Sequence, residues 1–370
     1  MMRKREGQSG NCGSHSGEWK MRVKQIILIS ICLLSLALAI NIRPEETPVR
    51  IGFLLDTLKL ERWQRDAKLV QARAEELGAK ITVKAAEGDD DLQLQQANQL
   101  LDAGVNVLIV VAHDAEKAGA IVQAAQRKGV PVISYDRLIK NSPVSLYISF
   151  DNVQVGKLQA SMVLAAAPKG RFFLLEGPPS DNNALQFERG QKLALQEAVD
   201  AASITIFSEE WCHQWNRTAA YEATVAALKK ADGKIAAIVA ANDELAGGAI
   251  QALRERKLDG RVPVSGQDAD LPGVVRVIRG TQTMTVYKPL GPLAKRAVDA
   301  AVALAHGSKP ATSESIPNGA YTVPAILLQP IAVDQKNLGA TVISDGFHTA
   351  EEIKKSLGPG EWEKFTTRKR

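Results

Sequence analysis

Six short strings place carboxylates, amides and basic groups just past apolar runs: YDR (135–137), FDN (150–152), SDNNA (180–184), AND (241–243), GQDAD (266–270) and TVYK (285–288). Taken singly, an Asp, Asn or Ser in such a place is a helix cap, and Asp243 ahead of ELAGGAIQAL reads as one. The set resists that reading, because Arg137, Asp268 and Lys288 add long or charged groups to the same rim. Trp63 in LERWQRD (60–66) and Trp215 in CHQWNR (212–217) add one flat ring to each half of the chain. Trp63 stands among charged neighbours at a helix start, an awkward place for a core residue, whereas Trp211 on its strand reads as core. Glu61 and Arg65 read as first-turn surface charges. Carboxylate, amide and guanidinium groups match hydroxyls in donor–acceptor pairs, and the C–H face of a pyranose lies well on an indole. This is chemistry for holding a small neutral polyol.

Catalysis finds little support. The five histidines (His15, His113, His213, His306, His348) form no metal-ligand spacing. No G-x-S-x-G elbow, phosphate loop or G-x-G-x-x-G follows a strand. Asp136 and Asp268 could form an acid–base pair, but nothing else points to a glycosidase. No catalytic residue, metal or cofactor is expected.

The elements that must position these groups alternate. VRIGFLL (49–55), AKITVKAAE (79–87), VNVLIVV (105–111) and VPVISYD (130–136) read as buried strands, with helices over 61–78, 90–104 and up to Lys128. After LYISFDN (146–152) a second series begins: GRFFLLEG (170–177), SITIFSEEW (203–211), IAAIVAAND (235–243) and RVPVSGQD (261–268). Apolar strands separated by helices predict parallel, doubly wound sheets. A degenerate repeat links the two series: residues 106–137 resemble 235–270, with Asp114 matching Asp243 and GAI at 119–121 matching GAI at 248–250. Asp136 then matches Asp268 after a three-residue insertion, which puts these aspartates on opposite walls of one cleft. The last stretch reads as a helix (289–306), a Gly/Pro/Ser-rich passage (307–324) and one strand, AILLQPIAV (325–333).

The formal charge of +5 is mostly local. Residues 1–39 carry six basic and two acidic groups, +4; the rest carries 40 and 39, +1, and shows no global signature of nucleic-acid binding. Met21–Gln25 is a positive segment, Ile26–Ile40 an apolar one and Ala37-Leu38-Ala39 a small-x-small cleavage site. These predict an export signal starting at Met21 and a mature chain from about Ile40. A retained anchor is the alternative, although 15 apolar residues are short for a span of about 20. Cys32 follows the bulky Ile31, unlike a lipoprotein signal. With Cys12 and Cys32 in the leader, Cys212 stands alone and no internal disulfide is expected.

Taken together, LERWQ, YDR, YISFDN, DNNA, NDELAGGAIQAL, SGQDADL, GTQTMTVYKP and DGFH make the chain resemble, from about Val49 to His348, the periplasmic sugar-binding proteins of bacterial ABC importers. Within that ribose- and galactose-binding superfamily it is most similar to the D-xylose-binding branch. The resemblance implies a type I periplasmic-binding fold: two α/β lobes with doubly wound parallel sheets, three hinge crossings and the ligand cleft between. It places the crossings near Phe150/Asp151, Lys288/Pro289 and 308–315. The lobes would be 48–150 plus 289–312 and 151–288 plus 313–347, with 348–370 as a tail. The sugar contacts it implies are Arg62, Trp63, Asp136 and Arg137 from the first lobe. Asp181, Asn183, Trp215, Asn242 and Asp268 would come from the second, and Lys288 from the hinge. The implied partners are a monosaccharide, D-xylose favoured over glucose or another aldose, and a membrane permease; the protein would act as a monomer outside the cytoplasm. Hinge closure on the ligand is the implied mechanism. A sensor for chemotaxis, or a transcription regulator's effector domain, shares this fold. A regulator would need a helix-turn-helix before Val49, where the export signal stands.

Overall fold

The apolar run at 49–55 becomes β1 (Arg50–Leu55), whose side chains alternate between two cores: Phe53 and Leu55 face one, Leu54 the other. The computed structural model describes Arg22, Lys24 and residues 47–312 and 314–367; the predicted export signal, with Cys12, Cys32 and Ala37–Ala39, lies outside the described residues. Val49–Arg370 forms one unit. In it, β1 pairs in parallel with β2 (Lys80–Ala85) and β3 (Val107–Val110). The sheet continues through β4 (Val132–Tyr135) and β5 (Leu146–Phe150). Helices α1 (Glu61–Glu76) and α9 (Leu290–Ala305) cover one face, α2 (Asp90–Asp102) and α3 (Gly119–Arg127) the other.

The second lobe centres on β6 (Gly170–Glu176), flanked in parallel by β7 (Ile204–Trp211) and β8 (Ala237–Ala240). The strand expected at 261–268 is reduced to single bridges, Ile238 to Val264 and Gln267 to Val286. They connect this sheet to the antiparallel pair β9 (Thr285–Tyr287) and β12 (Ile331–Val333). α4 (Asn152–Ala166), α5 (Asn182–Asp200), α6 (Arg217–Lys230), α7 (Asp243–Glu255) and α8 (Leu271–Arg279) complete the lobe. α4 and α5 meet backbone to backbone at two glycines. A Cβ on Gly156 would sit 2.0 Å from the Phe187 carbonyl oxygen, and one on Gly190 would sit 2.0 Å from that of Val153.

The chain leaves the first sheet at Phe150/Asp151 and returns from β9 to α9 at Lys288/Pro289. The third crossing does not lie at 308–315. β10 (Glu314–Pro317) and β11 (Thr322–Leu328) both join the first-lobe sheet, β11 in parallel with β5 and β10 as an antiparallel edge. That lobe therefore runs on to Leu328, and AILLQPIAV is two strands in two sheets. Pro330 has no N–H to give a ladder, and the chain changes sheet there.

The predicted tail also belongs to the second lobe. His348 is buried, and Ile353 of α10 (Ala350–Ser356) and Phe365 of α11 (Glu361–Thr367) pack with Val277, Tyr287 and Leu338. The tryptophans reverse their expected places: Trp211 is half-buried on edge strand β7, whereas Trp63 is only 1% exposed.

Candidate ligand-binding site

The turn from β1 into α1 supplies the first wall. Arg62, in the first turn of α1, is held by three carboxylates. Its Nε donates to Asp66 at 3.4 Å, its Nη2 to Asp136 at 2.8 Å and its Nη1 to Asp268 at 3.3 Å. Its guanidinium lies 4.2 Å from the Trp63 ring centroid, and that of Arg137 lies 5.4 Å from it. Stacked guanidinium groups explain how an indole among charges becomes buried. Asp66 is fixed below by the Tyr135 hydroxyl, and burial pushes its carboxyl up to about 6 against the opposing pull of Arg62.

Asp136 follows β4 with φ at +61°, a left-handed conformation uncommon for a side-chain-bearing residue. Burial opposes its charge, but Arg62, Lys288 and Arg137 outweigh burial and hold its carboxyl below the usual range. Arg137 donates to Asp56 at 2.8 Å and, across the cleft, to Asp181 at 2.8 Å. Lys288, at the crossing after β9, brings Nζ to 4.0 Å from Asp136 and 5.1 Å from the Phe187 ring; burial lowers its pKa.

The second wall is built from caps. Asp181 caps α5 through the Asn183 N–H at 2.9 Å, accepts from the Trp215 indole at 3.1 Å, and is pushed up by burial despite Arg137. Asn183 donates across the cleft to Asp136 at 2.9 Å and accepts from Asn152 at 2.9 Å. The cap of α7 is Asn242, which receives the Leu245 N–H at 2.9 Å; the expected cap, Asp243, instead starts the helix beneath it. There Asp243 accepts from Gln282, Thr285 and the Asp270 N–H, bracing the turn that carries Asp268. Trp215 lies over Gly177, where a Cβ would be 2.1–2.5 Å from its ring atoms, and edge-on to Phe187 at 6.4 Å.

All ten residues named from the sequence line one cavity, with Leu60, Phe187 and Gln267. Those three are harder to find in the sequence. Gln267 lies inside the GQDAD string, Phe187 stands one helical turn past Asn183, and Leu60 is apolar and carries no chemical signal. The lining holds three cations (Arg62, Arg137, Lys288) and three carboxylates (Asp136, Asp181, Asp268). Among the described residues, buried Gln267 Oε1 and Trp63 Nε1 have no hydrogen-bond partner. Among the described residues no cluster of His, Cys, Asp or Glu is arranged to hold a metal, and no helix is long and apolar enough to cross a membrane. Among the described residues Cys212 is buried and free, its thiol pushed up by burial to about 11.

Glu61 and Arg65 are not the surface charges they resemble in sequence. Glu61 accepts from the Leu271 N–H and Arg65 donates to His348, both in the other lobe.

Two α/β lobes, three crossings and a charged cleft between them define a two-lobed binding protein of the periplasmic type I class. The chain belongs to the periplasmic binding protein family, whose domain matches residues 51–309. It is 42% identical over 333 residues to the D-xylose-binding periplasmic protein of Escherichia coli (strain K12), covering 90% of this chain and 100% of that one. The protein of the same name from Haemophilus influenzae is 42% identical over 305 residues, 82% of this chain and 92% of its own. Among solved structures, a carbohydrate transporter solute-binding protein from Chloroflexus aurantiacus in complex with D-glucose matches with a TM-score of 0.77 and 28% identity. That match covers 83% of this chain and 98% of the other. These relatives are binding proteins, not enzymes.

Proposed function

We propose that this chain captures a neutral monosaccharide, D-xylose in the first place, by closing its lobes, and passes it to the membrane permease of an ABC importer. The observation that carries the reading is the balanced charge of the cleft: three cations against three carboxylates, already paired across the two lobes by Arg62–Asp268 and Arg137–Asp181. Such a lining attracts neither an acid nor an amine, but it offers many donors and acceptors to hydroxyls. Gln267 Oε1 and Trp63 Nε1 add an acceptor and a donor that hydroxyls can satisfy. The ten residues Arg62, Trp63, Asp136, Arg137, Asp181, Asn183, Trp215, Asn242, Asp268 and Lys288 are the proposed contacts. A sugar touching both walls favours the closed lobes. The 42% identity to D-xylose-binding proteins supports xylose. In this reading the protein works as a monomer outside the cytoplasm, exported by the segment from Met21 to Ala39.

Glucose is the second reading, favoured by the glucose complex of the Chloroflexus relative. It differs from xylose by one hydroxymethyl group. Calorimetric titration with xylose, glucose, ribose and arabinose separates the two. Heat from xylose at the lowest sugar concentration is expected; no heat from xylose alongside tight binding of another sugar overturns the assignment.

A further inference from the structure

Residues outside the cavity lining also join the lobes. Glu61 and Arg65 flank Arg62 on the first turns of α1 and pair with each other at 2.8 Å. Glu61 Oε2 accepts the N–H of Leu271, the first residue of α8, at 3.1 Å. Arg65 Nη2 donates to His348 Nδ1 at 3.0 Å, and its guanidinium lies 4.7 Å from the Phe347 ring centroid. His348 is fully buried, and its Nε2 meets the carbonyl of Ala269 at 2.9 Å, next to Asp268. The partners fix the tautomer: a guanidinium only donates, so Nδ1 accepts and Nε2 carries the proton.

We propose that Glu61 and Arg65, gripping Leu271 and His348, form a clasp that holds the lobes closed without touching the ligand and so sets how long the ligand is retained. The clasp deepens the sugar-capture reading, because a sugar enclosed by both walls leaves only when the lobes part. Water replaces both contacts once the lobes separate, and losing the pair shifts the closed-to-open ratio about tenfold. His348 ties the C-terminal segment to the very turn that carries Asp268.

The test compares the wild type, the Glu61→Ala/Arg65→Ala double variant and Lys59→Ala, whose lysine pairs with Glu87 in its own lobe. Small-angle scattering without added sugar reads closure, and stopped-flow displacement of bound sugar reads retention. The double variant is expected to show a larger radius of gyration and roughly tenfold faster release, with Lys59→Ala unchanged. Equal radii together with equal release rates overturn the clasp. If no sugar binds the wild type, the capture reading falls and scattering alone decides the clasp, equal radii then overturning it. If the double variant fails to fold, Arg65→Met, which keeps an apolar stem beside Phe347, takes its place in both measurements.

Discussion

Asp136 and Asp268 occupy the same position in two copies of one motif. Each follows an extended segment and has a positive φ, +61° and +92°. Each sends its N–H to the next strand, Asp136 to Ile148 at 2.7 Å and Asp268 to Val286 at 2.9 Å. The repeat thus aims two carboxylates at one point from opposite lobes, and Arg62 meets both there.

The two aspartates are not equivalent in cost. Asp268 has 14% of its side chain exposed, against 2% for Asp136. Asp268→Asn is expected to weaken sugar binding by about ten- to a hundredfold, the worth of one charged hydrogen bond, with little change in melting temperature. Arg62→Ala leaves buried Asp136 and Asp66 without their main counter-charge and is expected to cost about 3–5 kcal/mol of stability as well as binding. Calorimetry and thermal melts on both variants check the split; equal loss of stability in the two contradicts it.

Gly177 is a seat for an indole. Gly177→Ala sets a methyl carbon against the Trp215 ring and must displace it. The expected result is weakened sugar binding and loss of the sugar-induced change in tryptophan fluorescence, with the far-UV circular dichroism unchanged. A fluorescence response equal to the wild type contradicts this seating.

The Gly156–Gly190 contact sets the spacing of α4 and α5, and with it Asn152, Asn183 and Phe187. Neither glycine can take a methyl without moving backbone, so Gly190→Ala is expected to destabilise by about 1–3 kcal/mol and to misplace Asn183. Urea unfolding measures the first effect and sugar affinity the second. A variant as stable as the wild type refutes the close packing.

Two histidines respond to pH with opposite signs. The hydrogen bond that His113 Nδ1 donates to Asp56 raises the histidine pKa above 6.5, so its contribution is full below that value and fades as pH rises through the raised pKa. Burial lowers the pKa of His348, so its neutral form stabilises the fold above 6.5 and that contribution is lost as pH falls toward the lowered value. His113→Asn is therefore expected to lower the melting temperature more at about pH 5 than at about pH 8.5, and His348→Asn the reverse. Parallel shifts for the two variants contradict the assignment.

The sequence exposes some of these parts and hides others for definite reasons. Asp136, Arg137, Asp268 and Lys288 stand out as a set, because helix capping accounts for an aspartate at a strand end but not for the long or charged groups beside it. The central strands are visible because both faces of each parallel sheet are covered there, leaving nearly unbroken apolar runs. The third crossing is hidden because AILLQPIAV carries one apolar pattern across two sheets, and only pairing with β5 reveals the split. Trp63 misleads because its covering is charged. Glu61 and Arg65 mislead because their partners lie 210 and 283 residues away, beyond any local pattern.

The strand that completes the first sheet is supplied almost last. β11 aligns Ala325–Leu328 beside Tyr147–Phe150, so the first lobe cannot close its sheet until most of the second has been synthesised. Folding that depends on so distant a pairing is slow and gives little reward to partial chains. A chain cut after Phe150 lacks α9, which covers one face of its core, as well as β10 and β11, and is expected not to fold. The two lobes are thus not separable modules of the polypeptide.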